Sequence, residues 1–197
     1  MTLPNKISIF RLFLIPVIVA IWYFPFAQFG IDLPVYHISN VSISLKNIIV
    51  VALFAIGSIS DFLDGYLARK NNQVTTFGKF IDPIAEMCLK TTLLILLASS
   101  QIIPAIPVIV MVWRDTIVDG TRMMAAGKGS VMAAGILGKI KTASQMFCII
   151  FTLLNNYPFE AIGLPVSSIL LWFSMIISVL GGIDYYNRAK AYIWETK

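Results

Sequence analysis

Charged side chains are scarce in this chain. They make up 13% of its 197 residues, against roughly a quarter in a soluble domain. With a mean hydropathy of +0.83, much of its surface calls for lipid rather than water. Histidine is nearly missing: His37 is the one example. That argues against histidine-based catalysis or ligation and reads as a loop residue near the membrane surface. Cysteine is limited to Cys88 and Cys148, both in apolar stretches. They say little about redox compartment and make no Cys/His metal spacing. No internal repeat or low-complexity tract is visible. A cleavable leader is not expected either. The apolar stretch after Lys6 is interrupted by Arg11 and Pro16, runs on to Phe26 and meets no small-residue cleavage site, so it reads as an anchor.

What is present is apolar length. Six segments, roughly Ile7–Phe26, Ile48–Leu67, Phe80–Ser99, Ile103–Met123, Ile136–Leu154 and Val166–Tyr185, each approach the ~20 residues that span a bilayer. Lipid cannot satisfy open backbone groups, so helices are the assignment. The expected fold is an all-α integral membrane protein of six transmembrane helices, a single domain over residues 1–197. The net charge is +5, and its placement gives orientation. Lys6 and Arg11 open the chain. Arg69, Lys70 and Lys79 surround the second connection, and Arg122, Lys128, Lys139 and Lys141 the fourth. Arg188, Lys190 and Lys197 close the chain, while the other connections hold only Lys46, with Asp32 and Glu160. The positive-inside rule then puts both termini and the two basic connections in the cytoplasm of a multi-pass cell-membrane protein. Such a basic face suits anionic ligands at the membrane surface, not nucleic acid.

The chemistry concentrates between Ser60 and Glu86. Asp61 and Asp64 are three apart at the end of the second segment, and Asp82 and Glu86 are four apart at the start of the third. Both spacings share one helix face. Antiparallel neighbouring helices would bring the pairs together, and such clustered carboxylates repel unless they are neutralised. Two divalent cations, Mg²⁺ or Mn²⁺, would relieve that repulsion by sharing oxygen ligands with substrate phosphates. Gly65, Ala68 and Gly78 would let a ligand press against the helix backbone, and Arg69 suits a phosphate oxygen. Helix packing is the other use for small residues here.

The pattern Asp61-x2-Asp64-Gly65-x2-Ala68-Arg69-x8-Gly78-x3-Asp82-x3-Glu86 resembles the signature of the CDP-alcohol phosphatidyltransferase family. The resemblance implies a usually homodimeric membrane enzyme that moves a phosphatidyl or related phosphoalcohol group from a CDP carrier to an alcohol and releases CMP. It implies that Asp61, Asp64, Asp82 and Glu86 form a two-metal site on the cytoplasmic side, with Glu86 as general base. Gly65, Ala68, Arg69 and Gly78 would shape the nucleotide pocket. So would Asn5, in an opening Pro4-Asn5-x-Ile7-Ser8-x2-Arg11 that is similar to the family's. Two positions depart from the pattern: Glu86 stands where the family has Asp, and Met87 where it has Lys. The glutamate arm is longer by one carbon–carbon bond, about 1.5 Å.

Arg114 and Arg122 lie eight residues apart, a little over two turns, so they can face one cavity. Lys139 and Lys141 enter the fifth segment beside Gly138. Asp115 and Asp119 could pair with the arginines, and the lysines could snorkel to headgroups. Taken as a set, the four cations suggest a pocket for a phosphorylated acceptor. The substrates expected are CDP-diacylglycerol, lying in membrane lipid, and glycerol 3-phosphate. Arg114-x7-Arg122, Gly138-Lys139-Ile140-Lys141-Thr142 and Asp184-Tyr185-Tyr186 resemble the branch of the family with that acceptor. Inositol phosphate or serine as acceptor, or a catalytically silent CDP-lipid-binding module, are the alternatives.

Overall fold

The computed structural model describes residues 3–38, 40–70, 76–127 and 135–193, and within them the side chains other than 3–4, 62–69, 76–77, 79–80, 125–127 and 191–193. Six α-helices carry the chain: α1 (Leu3–Tyr23), α2 (Leu45–Lys70), α3 (Thr76–Ser99), α4 (Ala105–Gly127), α5 (Ile136–Leu153) and α6 (Val166–Ile193). Among the described residues, three are long and apolar enough to cross a membrane: Asn5–Tyr23, Ile136–Leu153 and Val166–Lys190. Helices α2, α3 and α4, of 26, 24 and 23 residues, carry the acids of the candidate site, with Lys90 on α3 and Arg114 and Arg122 on α4, while Arg11 comes from α1 and Lys141 from α5.

α1 shows how sequence becomes packing. Its buried residues are Asn5, Ser8, Arg11, Leu14, Ile18 and Trp22. Steps of three and four keep them on one face. That face is polar for its first three members and apolar for the rest. Its last two members, Ile18 and Trp22, join a core with Val50 and Phe54 of α2, Leu93 and Leu97 of α3, Met111 of α4, Ile149 and Leu153 of α5 and Leu171 of α6. α1 packs chiefly on α2 and α3, and α6 on α4 and α5, with α3 touching both groups. Outward-facing residues are large and apolar, among them Phe13, Trp113, Ile117, Met123, Ile136 and Ile183. In water such a surface would be a liability, and in lipid it is the expected one.

Several helices extend past the apolar segments: α1, α2 and α3 start before Ile7, Ile48 and Phe80, and α4 and α6 run on to Gly127 and Ile193. The connection between α1 and α2 folds as an antiparallel hairpin of β1 (Val35–Ile38) and β2 (Val41–Ser44), in register Val35↔Ser44. Val41 and Ile43 are buried and alternate with more exposed serines, the two-residue period of a half-buried strand. His37 is exposed on β1, its Nδ1 2.8 Å from Ser42 Oγ, a surface residue as expected.

Gly57 of α2 is where three helices close. A Cβ there would lie 2.6 Å from Leu89 Cδ2, 3.5 Å from Leu14 Cδ1 and 3.7 Å from Arg11 Cγ. Alanine can be absorbed by turning the Leu89 side chain. Valine adds methyls toward Leu14 and Arg11, and overpacking of this kind costs roughly 1–3 kcal/mol. Gly57→Val should therefore lower the thermal-unfolding midpoint in detergent by several degrees, with Gly57→Ala close to the parent. Equal midpoints for all three proteins would refute the close packing.

Candidate active site

The polar start of α1 reaches into the acidic region. Arg11, fully buried, forms an ion pair with Asp61 of α2 through Nη1 and Oδ1. Ser8 donates its hydroxyl to Asp82 Oδ1 of α3 at 2.5 Å. Ser8 and Arg11 are three apart on one face, so a single stripe of α1 holds an acid from each of two other helices. The fourth acid, Glu86, accepts from Lys90 Nζ at 2.6 Å. Lys90 also reaches Thr142 Oγ1 of α5 at 3.2 Å.

Two cavities meet at this point. The smaller, about 60 Å³, is lined by Arg11, Gly57, Asp61, Glu86, Lys90 and Thr142, with three further neighbours. The larger, about 280 Å³, contains Glu86, Lys90, Arg114, Asp115, Arg122 and Lys141, with Asp119, Gly138 and Thr142 beside them. Glu86, Lys90 and Thr142 belong to both. They form the wall between a side that holds Asp61 with Arg11 and a predominantly basic side.

The basic side is built from α4 and α5 against α6. Lys141 is buried, and its Nζ lies 2.5 Å from both carboxylate oxygens of Asp115. Arg114 Nη1 donates to the same carboxylate at 3.0 Å. One acid thus compensates two cations, leaving net positive charge. Arg122 Nη1 lies 3.4 Å from Asp119 Oδ1. The Nε atoms of Arg114 and Arg122 are buried and make no hydrogen bond among the described residues. Arg114 lies against two adjacent glycines of α6: a Cβ at Gly181 would be 3.0 Å from its Nη2, and one at Gly182 3.0 Å from its Cγ. Side chains there would push the guanidinium away, so these glycines provide the space that lets it lie along α6.

Of the residues expected from sequence, the structure gathers Glu86, Arg114, Arg122 and Lys141 around one cavity and puts Asp61 in the adjoining one. Asp82 lies one turn before Glu86 but lines neither. Asn5 and Gly78 are buried, again away from both cavities. Lys139 is exposed and lines neither. Asp64, Gly65, Ala68 and Arg69 fall outside the described side chains. The pairing of arginines with Asp115 and Asp119, open from sequence, is present, and it coexists with a net cationic lining.

Several participants have only weaker sequence signals. Ser8 and Arg11 belong to an opening motif, and polar residues at 5, 8 and 11 in a membrane helix signal an inward stripe. Lys90 carries a signal of its own, a lysine inside an apolar segment four residues after a glutamate. Gly181 and Gly182 have no signal, because what packs on them, Arg114 of α4 and Leu137 of α5, comes from other helices.

Among the described residues, no three Asp, Glu, His or Cys side chains converge closely enough to hold a metal ion. The donor chemistry nonetheless fits a hard divalent cation: Asp61 and Glu86 offer carboxylate oxygens to one cavity, where Arg11 and Lys90 serve as their counter-charges. Mg²⁺ and Mn²⁺ take such oxygen ligands.

A sequence profile of the CDP-alcohol phosphatidyltransferase family matches residues 1–180. The chain is 40% identical to a CDP-diacylglycerol–glycerol-3-phosphate 3-phosphatidyltransferase of Bacillus subtilis (strain 168), over 94% of each sequence. It is 34% identical to the enzyme of that name from Rickettsia typhi, over 96% of this chain and 98% of the relative. The Haemophilus influenzae protein of the same name is 32% identical, over 95% of this chain and 93% of its own length.

Proposed function

Because this chain belongs to the CDP-alcohol phosphatidyltransferase family, we propose that it is the transferase that joins CDP-diacylglycerol to glycerol 3-phosphate and releases CMP, a phosphatidylglycerophosphate synthase. The observation that carries the choice of acceptor is the cavity shared by Glu86 with Arg114, Arg122 and Lys141. A carboxylate suited to take a proton from a hydroxyl lies in one wall, and cations suited to a phosphate lie in the others. Glycerol 3-phosphate carries both groups, whereas serine would not require so many cations. The relatives named above for that reaction support the same acceptor.

In this reading Glu86 accepts the proton of the attacking hydroxyl. Arg114, Arg122 and Lys141 orient the acceptor by its phosphate, the bidentate arginines fixing angle as well as position. Asp61, Asp64, Asp82 and Glu86 would hold two divalent cations, Mg²⁺ or Mn²⁺. Bound there, such cations offset the pyrophosphate's negative charge. Ser8 and Arg11 keep Asp82 and Asp61 in place. Asn5, Gly65, Ala68, Arg69 and Gly78 are assigned to the nucleotide on the family pattern alone. Attack is direct and in line, since no Ser, Cys or His stands out as a covalent nucleophile.

The protein crosses the cell membrane six times in this reading, as one domain with both termini and the active site cytoplasmic. The distribution of lysine and arginine supports that orientation. The support for a homodimer is the family resemblance.

The deciding experiment supplies purified protein in mixed micelles with CDP-diacylglycerol, Mg²⁺ or Mn²⁺, and in turn glycerol 3-phosphate, inositol phosphate and serine, and follows CMP. Release should depend on glycerol 3-phosphate and stop with EDTA. Faster turnover of serine would overturn the acceptor assignment. Nucleotide binding without release for any acceptor would indicate a silent CDP-lipid-binding protein.

A further inference from the structure

Lys90 lies where the two cavities join, and the reaction outlined above gives it no task. It is buried at 8% exposure. A buried ammonium is costly unless it is paired and hydrogen-bonded. Its partners are Glu86 Oε1 at 2.6 Å and Thr142 Oγ1 at 3.2 Å. The first is the carboxylate assigned as base, and the second belongs to α5, across the cavity wall. Glutamate four residues before lysine is also the favourable order on a helix.

We propose that Lys90 is the positioning residue of this active site: it tethers one oxygen of Glu86 to α5 and so aims the carboxylate into the wall between the two cavities. The inference rests on the reading of Glu86 as the base. It also joins the chain's two departures from the family pattern into one change. Positions 87 and 90 are three apart and share a face. The lysine missing at Met87 is replaced by one a turn further on, and the longer arm of glutamate reaches back to it. An aspartate at 86 would be shorter by about 1.5 Å and would leave Lys90 without its closest partner.

The test is steady-state CMP release by the full-length protein in micelles, with wild type, Lys90→Met, Lys90→Arg, Glu86→Asp and the relocated triple variant Glu86→Asp/Met87→Lys/Lys90→Met. Loss of an outer partner of a reactive group typically costs about 10–100-fold, so Lys90→Met should lower kcat by that factor while each KM stays within about threefold. Glu86→Asp alone should cost on the order of a hundredfold. The triple variant should return to within about threefold of wild type, a coupling that independent sites would not show. Wild-type kcat in Lys90→Met, or a triple variant no better than the product of its parts, would overturn the proposal. If Lys90→Met fails to fold, as judged by size-exclusion elution, Lys90→Arg and the triple variant decide: a triple variant as weak as Glu86→Asp rejects the tether. Absence of CMP release from wild type with every acceptor would instead remove the functional reading and this inference with it. A loss confined to the comparison among variants bears on Lys90 alone.

Discussion

Glu86→Gln is expected to lower kcat by about 10²–10⁴-fold, the range for removing a positioned general base. The exchange keeps the length of the side chain and an oxygen to accept from Lys90, but it leaves that buried ammonium without its counter-charge, so some loss of stability should accompany it. What it removes is the ability to take up a proton, together with one negative charge beside Asp61. Binding of CDP-diacylglycerol, followed by displacement of a labelled nucleotide, should therefore weaken far less than turnover. Asp61→Ala should also abolish turnover, but by a different route, because it strips fully buried Arg11 of its counter-charge. Breaking a buried pair from one side is strongly destabilising, on the order of 3–5 kcal/mol, so this variant should also unfold earlier. A Glu86→Gln protein that turns over at the parent rate would remove Glu86 from the chemistry.

Arg114→Gln is expected to raise KM for glycerol 3-phosphate by about 10–100-fold, since charge-assisted hydrogen bonds contribute roughly 1.5–3 kcal/mol each and every 1.4 kcal/mol or so is tenfold. KM for CDP-diacylglycerol should stay within about twofold, because the interaction lost belongs to the other substrate. The fold should tolerate the change, because Asp115 keeps its pair with Lys141. Lys139→Gln is the matched control. Two residues from Lys141, it is exposed and off the cavity, and its kinetics should stay within about twofold of the parent, the usual outcome at a solvated surface charge. An Arg114→Gln protein with weakened CDP-diacylglycerol and unchanged glycerol 3-phosphate would assign this cavity to the nucleotide instead.

The contrast between Lys139 and Lys141 marks how far the sequence could be read. Both flank Ile140 in one short basic motif, and composition alone treats them alike. On a helix, residues two apart point about 200° from each other. Only one can face α4, and the helix's rotation against its neighbours selects Lys141. Arg114 and Arg122 are different. Their eight-residue spacing is a property of one helix, so their shared cavity was legible before any packing was known. The hairpin of β1 and β2 was less so, because four-residue strands give too short an alternation to stand out.

The sequence by itself determined the membrane character, the helical segments and the family, because these depend on local composition and on spacings along single helices. Tertiary structure decided the partners: Arg11 with Asp61, Ser8 with Asp82, Lys90 with Glu86 and Thr142, and one Asp115 shared by Arg114 and Lys141. Apart from Glu86–Lys90, which lies within α3, and Arg114–Asp115, neighbours on α4, these pairs join residues on different helices. Which charges meet across helices follows from how those helices are rotated and docked, and no spacing within a single segment encodes that.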